Sequence, residues 1–357
     1  MSGACPKKQQ LDISAPISIG RVGIRNCAFL APMSGVSDVP FRKLAWEFGA
    51  GMVISEMVAS EALTTGQEEM RLKAESAGLP VHIVQLAGRQ PQWMSEAAKL
   101  AQGAGAHVID INMGCPSKRV TTGYSGSALM RDLDHALTLI EAVMETAEVP
   151  VTLKMRLGWD EQSINAPQLA ARAQEAGVSL ITVHGRTRCQ FYKGEADWHA
   201  ISAVRERIHI PLLVNGDIAS AADARAAMNA SGADGVMIGR ASYGAPWLPG
   251  QIGAQLAGEP LFDRPSGDDF AALVARHFTM MVDFYGSEMG IRKARKHLDW
   301  YLSHMPRDVE HRDKLAPKYL PLRKRLITSR DPREVLKLIA DLFCFVEPQS
   351  NIEAEAA

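Results

Sequence analysis

The sequence predicts an α/β protein, a (β/α)8 TIM barrel followed by a small all-helical domain, and three observations carry that prediction. Eight short apolar runs rich in β-branched residues recur, their starts 24 to 43 residues apart. Segments of helical periodicity lie between most of them. Past about residue 255 the strand pattern stops and only helical stretches follow. Apolar strands alternating with amphipathic helices make a parallel sheet covered on both faces. Eight such units close into a barrel, and no G-x-G-x-x-G follows the first run to suggest an open dinucleotide-binding sheet.

The runs are Ala28 to Leu30, Met52 to Ser55, Val81 to Leu86, Val108 to Ile111, Val151 to Met155, Leu180 to Val183, Pro211 to Val214 and Gly235 to Ile238. Crossover helices are expected over Trp93 to Gly103, Ala136 to Thr146, Ala166 to Ala176 and Ala221 to Ala230. Gly49, Gly105, Gly177 and Gly232 stand where left-handed helix caps belong. Gly258-Glu259-Pro260 and Arg264-Pro265-Ser266-Gly267 read as a linker. Beyond it come helices over Asp269 to Tyr285, Arg292 to Leu302, Tyr319 to Ile327 and Pro332 to Phe345, interrupted at Pro306 and Pro317. The division expected is an N-terminal extension over 1–16, the barrel over 17–255, the helical domain over 256–346 and a disordered tail over 347–357.

Composition narrows the class. Hydrophobic residues are 46% of 357, enough for a sizeable core. Cys5, Cys27, Cys115, Cys189 and Cys344 show no paired spacing and no C-x-x-C, which argues against disulfides and a zinc site and for a reducing cytoplasm. No secretory signal or bilayer-length apolar run is present, so a soluble cytoplasmic protein, with no membrane and no metal, is expected. The net charge is −1, but Ile291 to Arg330 holds twelve Lys/Arg against four Asp/Glu, a net of +8 that leaves −9 elsewhere. Such asymmetry fits a segment that meets a polyanion.

Barrel chemistry sits at the C-terminal ends of the strands. The residues there are Pro32, Met33 and Ser34 after the first, Ser55 and Glu56 after the second, Gln85 on the third, and Asn112 and Cys115 on and after the fourth. The fifth carries Lys154 and Arg156. The sixth leads into His184, Arg186 and Arg188, the seventh into Asn215, Gly216 and Asp217, and the eighth into Gly239 and Arg240. Glycines after the last two strands let backbone approach an anion, and Arg240 can add a bidentate contact. Lys154 interrupts an apolar strand, so something anionic or strongly accepting should meet it, unless it pairs with Glu56 or Asp110. Gln85 offers a donor and an acceptor, suited to a pyrimidine-like edge. His184 is a candidate ligand contact. Taken alone, Cys115 is a nucleophile, a proton donor or a core thiol. The glycine-rich stretch from Lys118 through Gly126 suggests a lid or substrate contact.

These residues fall in motifs that resemble the tRNA-dihydrouridine synthases, and most closely their DusB-like, nitrogen-regulation-associated branch. The matching runs are Leu30-Ala-Pro-Met-Ser-Gly-Val-Ser-Asp38, Gly51-Met-Val-Ile-Ser-Glu-Met57, Asp110-Ile-Asn-Met-Gly-Cys-Pro116, Gly126-Ser-Ala-Leu129, Val151-Thr-Leu-Lys-Met-Arg156, His184-Gly-Arg-Thr-Arg188, Asn215-Gly-Asp-Ile218, Met237-Ile-Gly-Arg240 and Ala294-Arg-Lys-His-Leu-Asp-Trp-Tyr-Leu302. They span roughly residues 17 to 305.

The resemblance implies an FMN-holding barrel, a helical tRNA-binding domain and NADPH as reductant. It implies FMN contacts from Pro32, Met33, Ser34, Gln85, Lys154, Asn215, Gly216, Asp217, Gly239 and Arg240, with His184 a flavin-proximal residue. Cys115 becomes the catalytic acid, giving a proton to C5 of a uracil that takes hydride at C6. A thiol with its usual pKa is protonated at neutral pH and suits that role. Asn112, Arg156, Arg186 and Arg188 are expected to hold the extruded base, and Arg292, Arg295 and Lys296 to grip phosphates. The branch suggests a D-loop uridine and a monomer. Two rival readings remain at this stage: an FMN-dependent oxidoreductase of free pyrimidines, disfavoured by the basic domain, and a non-catalytic RNA-binding or regulatory protein on the same barrel.

Overall fold

A computed structural model describes residues 17–304 and 320–343. The extension 1–16, the tail 347–357, the prolines at 306 and 317 and the first residue of the helix expected from 319 lie outside the described residues. The chain divides into two compact units, Met1–Ala241 with Trp247–Leu261 and Ser242–Pro246 with Phe262–Ala357.

The first unit begins with an antiparallel hairpin that the sequence pattern did not reveal, β1 (Ser18–Ile19) and β2 (Val22–Gly23). Nine parallel strands follow: β3 (Ala28–Leu30), β4 (Met52–Val53), β5 (Met57–Ala59), β6 (Ile83–Ala87), β7 (Val108–Met113), β8 (Val151–Arg156), β9 (Leu180–His184), β10 (Leu212–Asn215) and β11 (Gly235–Ile238). Their neighbour order is β4-β3-β11-β10-β9-β8-β7-β6-β5. The two ends of that order are pieces of one barrel strand, parted only by residues 54–56, so the sheet closes on itself as an eight-membered TIM barrel. Ser55 spans the break. Its amide donates to the Ile83 carbonyl at 3.1 Å and its Oγ accepts from the Gln85 amide at 2.9 Å, replacing ladder bonds that the interruption removes.

Alternation sorts each strand's side chains. Val84, Leu86, Ile109, Ile111, Leu153, Met155, Ile181, Val183 and Val214 join the large core that packs sheet against helices. The alternate residues face the barrel interior. Near the strand starts these are Phe29, Met52, Ile83, Val108, Leu180, Leu213 and Met237, and Ile19 of the hairpin packs onto the same cluster. Further along, the same face turns polar: Gln85, Asp110, Asn112, Thr152, Lys154, Thr182, His184 and Asn215. An apolar plug therefore underlies a polar layer, and the site is built on that layer.

The crossover helices Pro91–Gly103, Leu133–Met144, Ala166–Glu175 and Ala221–Ser231 lie within a few residues of their expected bounds. The four expected cap glycines take left-handed φ, 90° at Gly49, 91° at Gly105, 101° at Gly177 and 68° at Gly232.

The second unit contains helices Gly267–Tyr285, Ser287–Ser303 and Pro332–Phe343, with a further helix over 320–328. Gly290 lets the first two approach, since a Cβ there would lie 2.6 Å from the Met281 carbonyl oxygen. Phe270 packs edge-on against Phe343 and Tyr301, and Nδ1 of His277 lies 3.0 Å from the Tyr301 hydroxyl. Among the described residues no helix is long and apolar enough to cross a membrane, and no three His, Cys, Asp or Glu could jointly hold a metal ion.

Candidate active site

Cys115 lies two residues beyond β7 and is pinned from three directions. Asn112 Oδ1 accepts the amides of Gly114 at 3.2 Å and Cys115 at 3.0 Å. Arg156, on β8, donates through Nε to the Gly114 carbonyl at 2.9 Å. Ser127 donates its amide and hydroxyl to the Cys115 carbonyl at 3.1 and 2.8 Å. Gly126 permits that last approach: its φ is 61°, and a Cβ there would meet the Cys115 carbonyl oxygen at 2.8 Å. Burial pushes the Cys115 thiol above its ordinary value; the Ser117 amide and the charges of Arg156 and Lys154 pull the other way without overcoming it. The group is a protonated thiol at neutral pH.

Strand register sets its neighbours. Asn112 pairs with Lys154, Gln85 with Asp110, Arg156 with His184, and His184 with Asn215. Lys154 donates to Asn215 Oδ1 at 3.0 Å, not to Glu56 or Asp110, the two carboxylates from which a structural ion pair was an alternative. Burial, reinforced by Arg156, lowers the Lys154 ammonium to about 8. His184 is kept neutral, its pKa driven well down by burial and then by Arg156, Lys154, Arg186 and Arg240; its Nδ1 is buried with no partner among the described residues.

Pro32, Met33 and Ser34 form a turn after β3, closed by the Val36 and Ser37 amides on the Met33 carbonyl at 2.9 and 3.0 Å. Glu56 accepts the Gly35 amide and ties this turn to the broken strand. Gly216 follows β10 with φ 117°. Gly239 follows β11 with open ground above it, the nearest atoms to a built Cβ being Ala31 Cβ at 3.9 Å and Met33 Sδ at 4.0 Å.

Several of the residues expected to contact ligands also bond the protein around Cys115 and the loop after β9. Asn112 places its oxygen on the Cys115 turn and one Nδ2 hydrogen on Gln85 at 2.8 Å, so it anchors the loop and keeps one N–H beyond those bonds. Arg186 is buried, donating to Asp217 Oδ1 at 2.9 Å and Oδ2 at 2.5 Å and to the carbonyls of Lys193 and Gly194. These bonds clamp the loop after β9 to the residue that follows Gly216. Arg156 donates to the carbonyls of Gly114, Thr187 and Phe191, and its guanidinium lies 5.4 Å from the Tyr192 ring. Arg188 reaches Thr121 Oγ1 at 3.3 Å and stacks over Trp159, strapping the stretch after Cys115 to the loop after β9.

Asp217, with φ 54°, gathers Arg186, the Ala196 amide and Arg240 at 3.4 Å. Burial works to raise its carboxyl, but those hydrogen bonds and both arginine charges hold it below the usual carboxylate range. Arg240 also lies 4.7 Å from the Tyr192 ring.

In the helical unit, Arg292 is exposed and Lys296 stands 5.9 Å from the Trp300 ring. Arg295 reaches the carbonyls of Thr328 and Ser329 through one guanidinium nitrogen at 3.4 and 3.5 Å, tethering the end of the 320–328 helix.

Sequence reasoning missed Thr152, Ser127, Tyr192 and the part played by Asp110. Thr152 and Asp110 had a readable signal, since each lies two residues before a polar residue already singled out on the same strand face. Ser127 lies in the Gly126-Ser-Ala-Leu129 run without a role assigned to it there, and Tyr192 had no signal, because loop packing brings it in.

The donor set fits a planar, electron-rich group with a phosphate. Four cationic side chains bear on His184, a glycine leaves open ground beside Arg240, and Gln85 retains one N–H and one lone pair beyond its bonds to Asp110 and Asn112.

Comparison with known proteins gives concordant results. The family described as Dihydrouridine synthase (Dus) matches residues 29–329. A probable tRNA-dihydrouridine synthase of Rhizobium leguminosarum bv. phaseoli is 54% identical over 315 residues, 88% of this chain and 94% of that one. The tRNA-dihydrouridine synthase B of Pseudomonas putida is 42% identical over 297 residues, 83% of this chain and 88% of that one. In fold, the solved structure of TcOYE with pHBA superimposes with a TM-score of 0.53 at 12% identity, covering 71% of this chain and 94% of that one.

Proposed function

The chain belongs to the dihydrouridine synthase family, and from that premise we propose that it reduces the C5=C6 bond of a uridine in tRNA with FMN as bound cofactor and NADPH as reductant. The observation that carries the chemical reading is the Cys115 thiol, kept protonated by burial and fixed by three residues beside a cationic polar layer.

When bound, the flavin supplies hydride to C6 of the uracil. Pro32, Met33 and Ser34, with Gln85, Lys154, His184 and Asn215, are the residues to hold its ring. Gly216, Gly239 and Arg240 are those to receive its phosphate, with Asp217 orienting Arg240. Lys154 brings a positive charge into the polar layer, where it favours electron density accumulating on a ligand. Neutral His184 can donate or accept one hydrogen bond without adding charge. Cys115 then gives its Sγ proton to C5. Its backbone is held on both sides, so the thiol meets the base without rearrangement.

The target base must leave its stack to reach the barrel mouth. Arg188 and Tyr192 stand in the loop after β9, beside the Cys115 stretch that Arg188 straps down. Arg292 and Lys296 are assigned to tRNA phosphates, and a D-loop uridine is the proposed target.

The experiment is to map dihydrouridine in total tRNA from cells with and without the gene. Loss of the modification at a D-loop position is expected. An unchanged map, or turnover of free uracil by the purified protein without RNA, would refute the proposal.

A further inference from the structure

Asp110 lies inside the barrel, 2% exposed, and among the described residues no cation bonds to it. Its Oδ1 accepts from Thr152 Oγ1 at 2.6 Å and its Oδ2 from Gln85 Nε2 at 2.6 Å. Gln85 Oε1 accepts from Asn112 Nδ2 at 2.8 Å, and Asn112 Oδ1 accepts the amides of Gly114 and Cys115. These residues form one chain running from a buried carboxylate to the backbone of Cys115.

A flip of either amide side chain would exchange donor and acceptor, and the chain has a one-way partner at each end: the Gly114 and Cys115 amides only donate, at the site, and Asp110 stands at the interior end. An ionised carboxylate is not ambiguous, because it only accepts. It requires the NH2 of Gln85, which turns the Gln85 oxygen toward Asn112. That oxygen requires the NH2 of Asn112, which turns the Asn112 oxygen onto the Cys115 turn. A flipped Asn112 would aim its NH2 at two amide N–H groups and release the loop.

We propose that Asp110 is a positioning residue, whose acceptor-only character locks from the interior end the hydrogen-bond direction that the Gly114 and Cys115 amides require, and so holds the Cys115 thiol in the site. The proposal rests on Cys115 being the reacting thiol, as assigned above. Stability does not explain the residue: burying a carboxylate without a bonded cation is costly, and an apolar side chain of similar size would pack there at less expense. That burial pushes the Asp110 carboxyl up to about 6, yet it still leaves the group ionised at pH 7.5.

Asp110→Asn preserves shape and removes the lock at the interior end, leaving the direction to the Gly114 and Cys115 amides alone. The readout is the pH profile of Cys115 alkylation by iodoacetamide in the purified protein, followed on the peptide that carries Cys115 so that exposed Cys189 does not interfere. The variant is expected to keep its flavin and to show a displaced profile with a several-fold change in rate. Asp110→Asn combined with Gln85→Glu moves the acceptor-only group one step along the chain. Because Gln85 is also assigned to the flavin, the profiles are compared at matched flavin occupancy, read from its absorbance, and there the double variant should regain the wild-type profile.

An unchanged profile in the single variant, or no recovery in the double, overturns the proposal. Should the single variant fail to fold, the double variant alone decides, through a normal or displaced profile. Failure of the wild type to form dihydrouridine would strike the proposed function, while the thiol profiles would still judge the chain.

Discussion

Lys154 Nζ donates to Asn215 Oδ1 at 3.0 Å, while Asn215 Nδ2 donates to the Met237 carbonyl at 2.7 Å. The second bond fixes which end of the Asn215 amide faces inward, so β11 dictates that β10 offers an acceptor to the cation on β8. The remaining Lys154 protons are left for a ligand.

A consequence appears in the pH dependence. The Lys154 pKa is lowered to about 8, so the ammonium is charged below that value and loses its proton as pH rises through it. Product formation at saturating tRNA should decline with a midpoint near that pH. Lys154→Arg keeps its charge there and should move the limb upward. A pH–rate profile with the same limb in both proteins would assign it to another group.

Cys115→Ala should retain flavin and its reduction by NADPH while losing product about 10²–10⁴-fold, the usual contribution of a general acid. Nucleoside analysis of tRNA after a single turnover, beside stopped-flow reduction of the flavin, separates the two half-reactions.

The raised Asp110 pKa has a stability counterpart. A carboxyl raised in the folded state contributes stability that is fully present below its unfolded value and lost as pH rises through about 6. Relative to wild type, Asp110→Asn should therefore gain roughly 1–3 kcal/mol between pH 4 and pH 7.5. Thermal melts of both proteins across that range give the difference directly.

Arg186→Met removes a buried guanidinium from Asp217 and from two loop carbonyls. It should destabilise the protein by about 1–3 kcal/mol, the cost of stranded acceptors, discounted because Asp217 is partly solvated. Limited proteolysis should then cut first between Thr187 and Ala196, whose backbone the clamp organises.

Two classes of cation in the helical unit should separate by salt. Arg292→Gln with Lys296→Gln should weaken tRNA binding and flatten its salt dependence by about 0.9 in log–log slope for each phosphate no longer neutralised. Arg295→Gln should instead lower the melting temperature, because it unties the 320–328 helix end, and leave the slope nearly unchanged.

The sequence by itself determined the barrel, the helices that follow it and the set of polar residues around Cys115. Those features are written in local periodicity, in cap glycines and in which residues close each strand, all of which act over a few positions. It did not reveal that the second barrel strand resumes at Met57 to Ala59, because Ser55 and Glu56 read as the end of the run from Met52, and only the bonds of Ser55 to Ile83 and Gln85 carry the ladder across the break. Nor did it show which protein groups the polar site residues bond. Asn112, Arg186 and Arg295 have the chemistry of binding residues, and which protein acceptors their N–H groups reach is not written locally. Those acceptors belong to residues 27, 31 and 33 positions away in the cases of Gln85, Asp217 and Thr328. Distances of that kind are set by strand register and loop packing, so tertiary structure alone decided that Asp110, through Gln85 and Asn112, ends on the amide of Cys115.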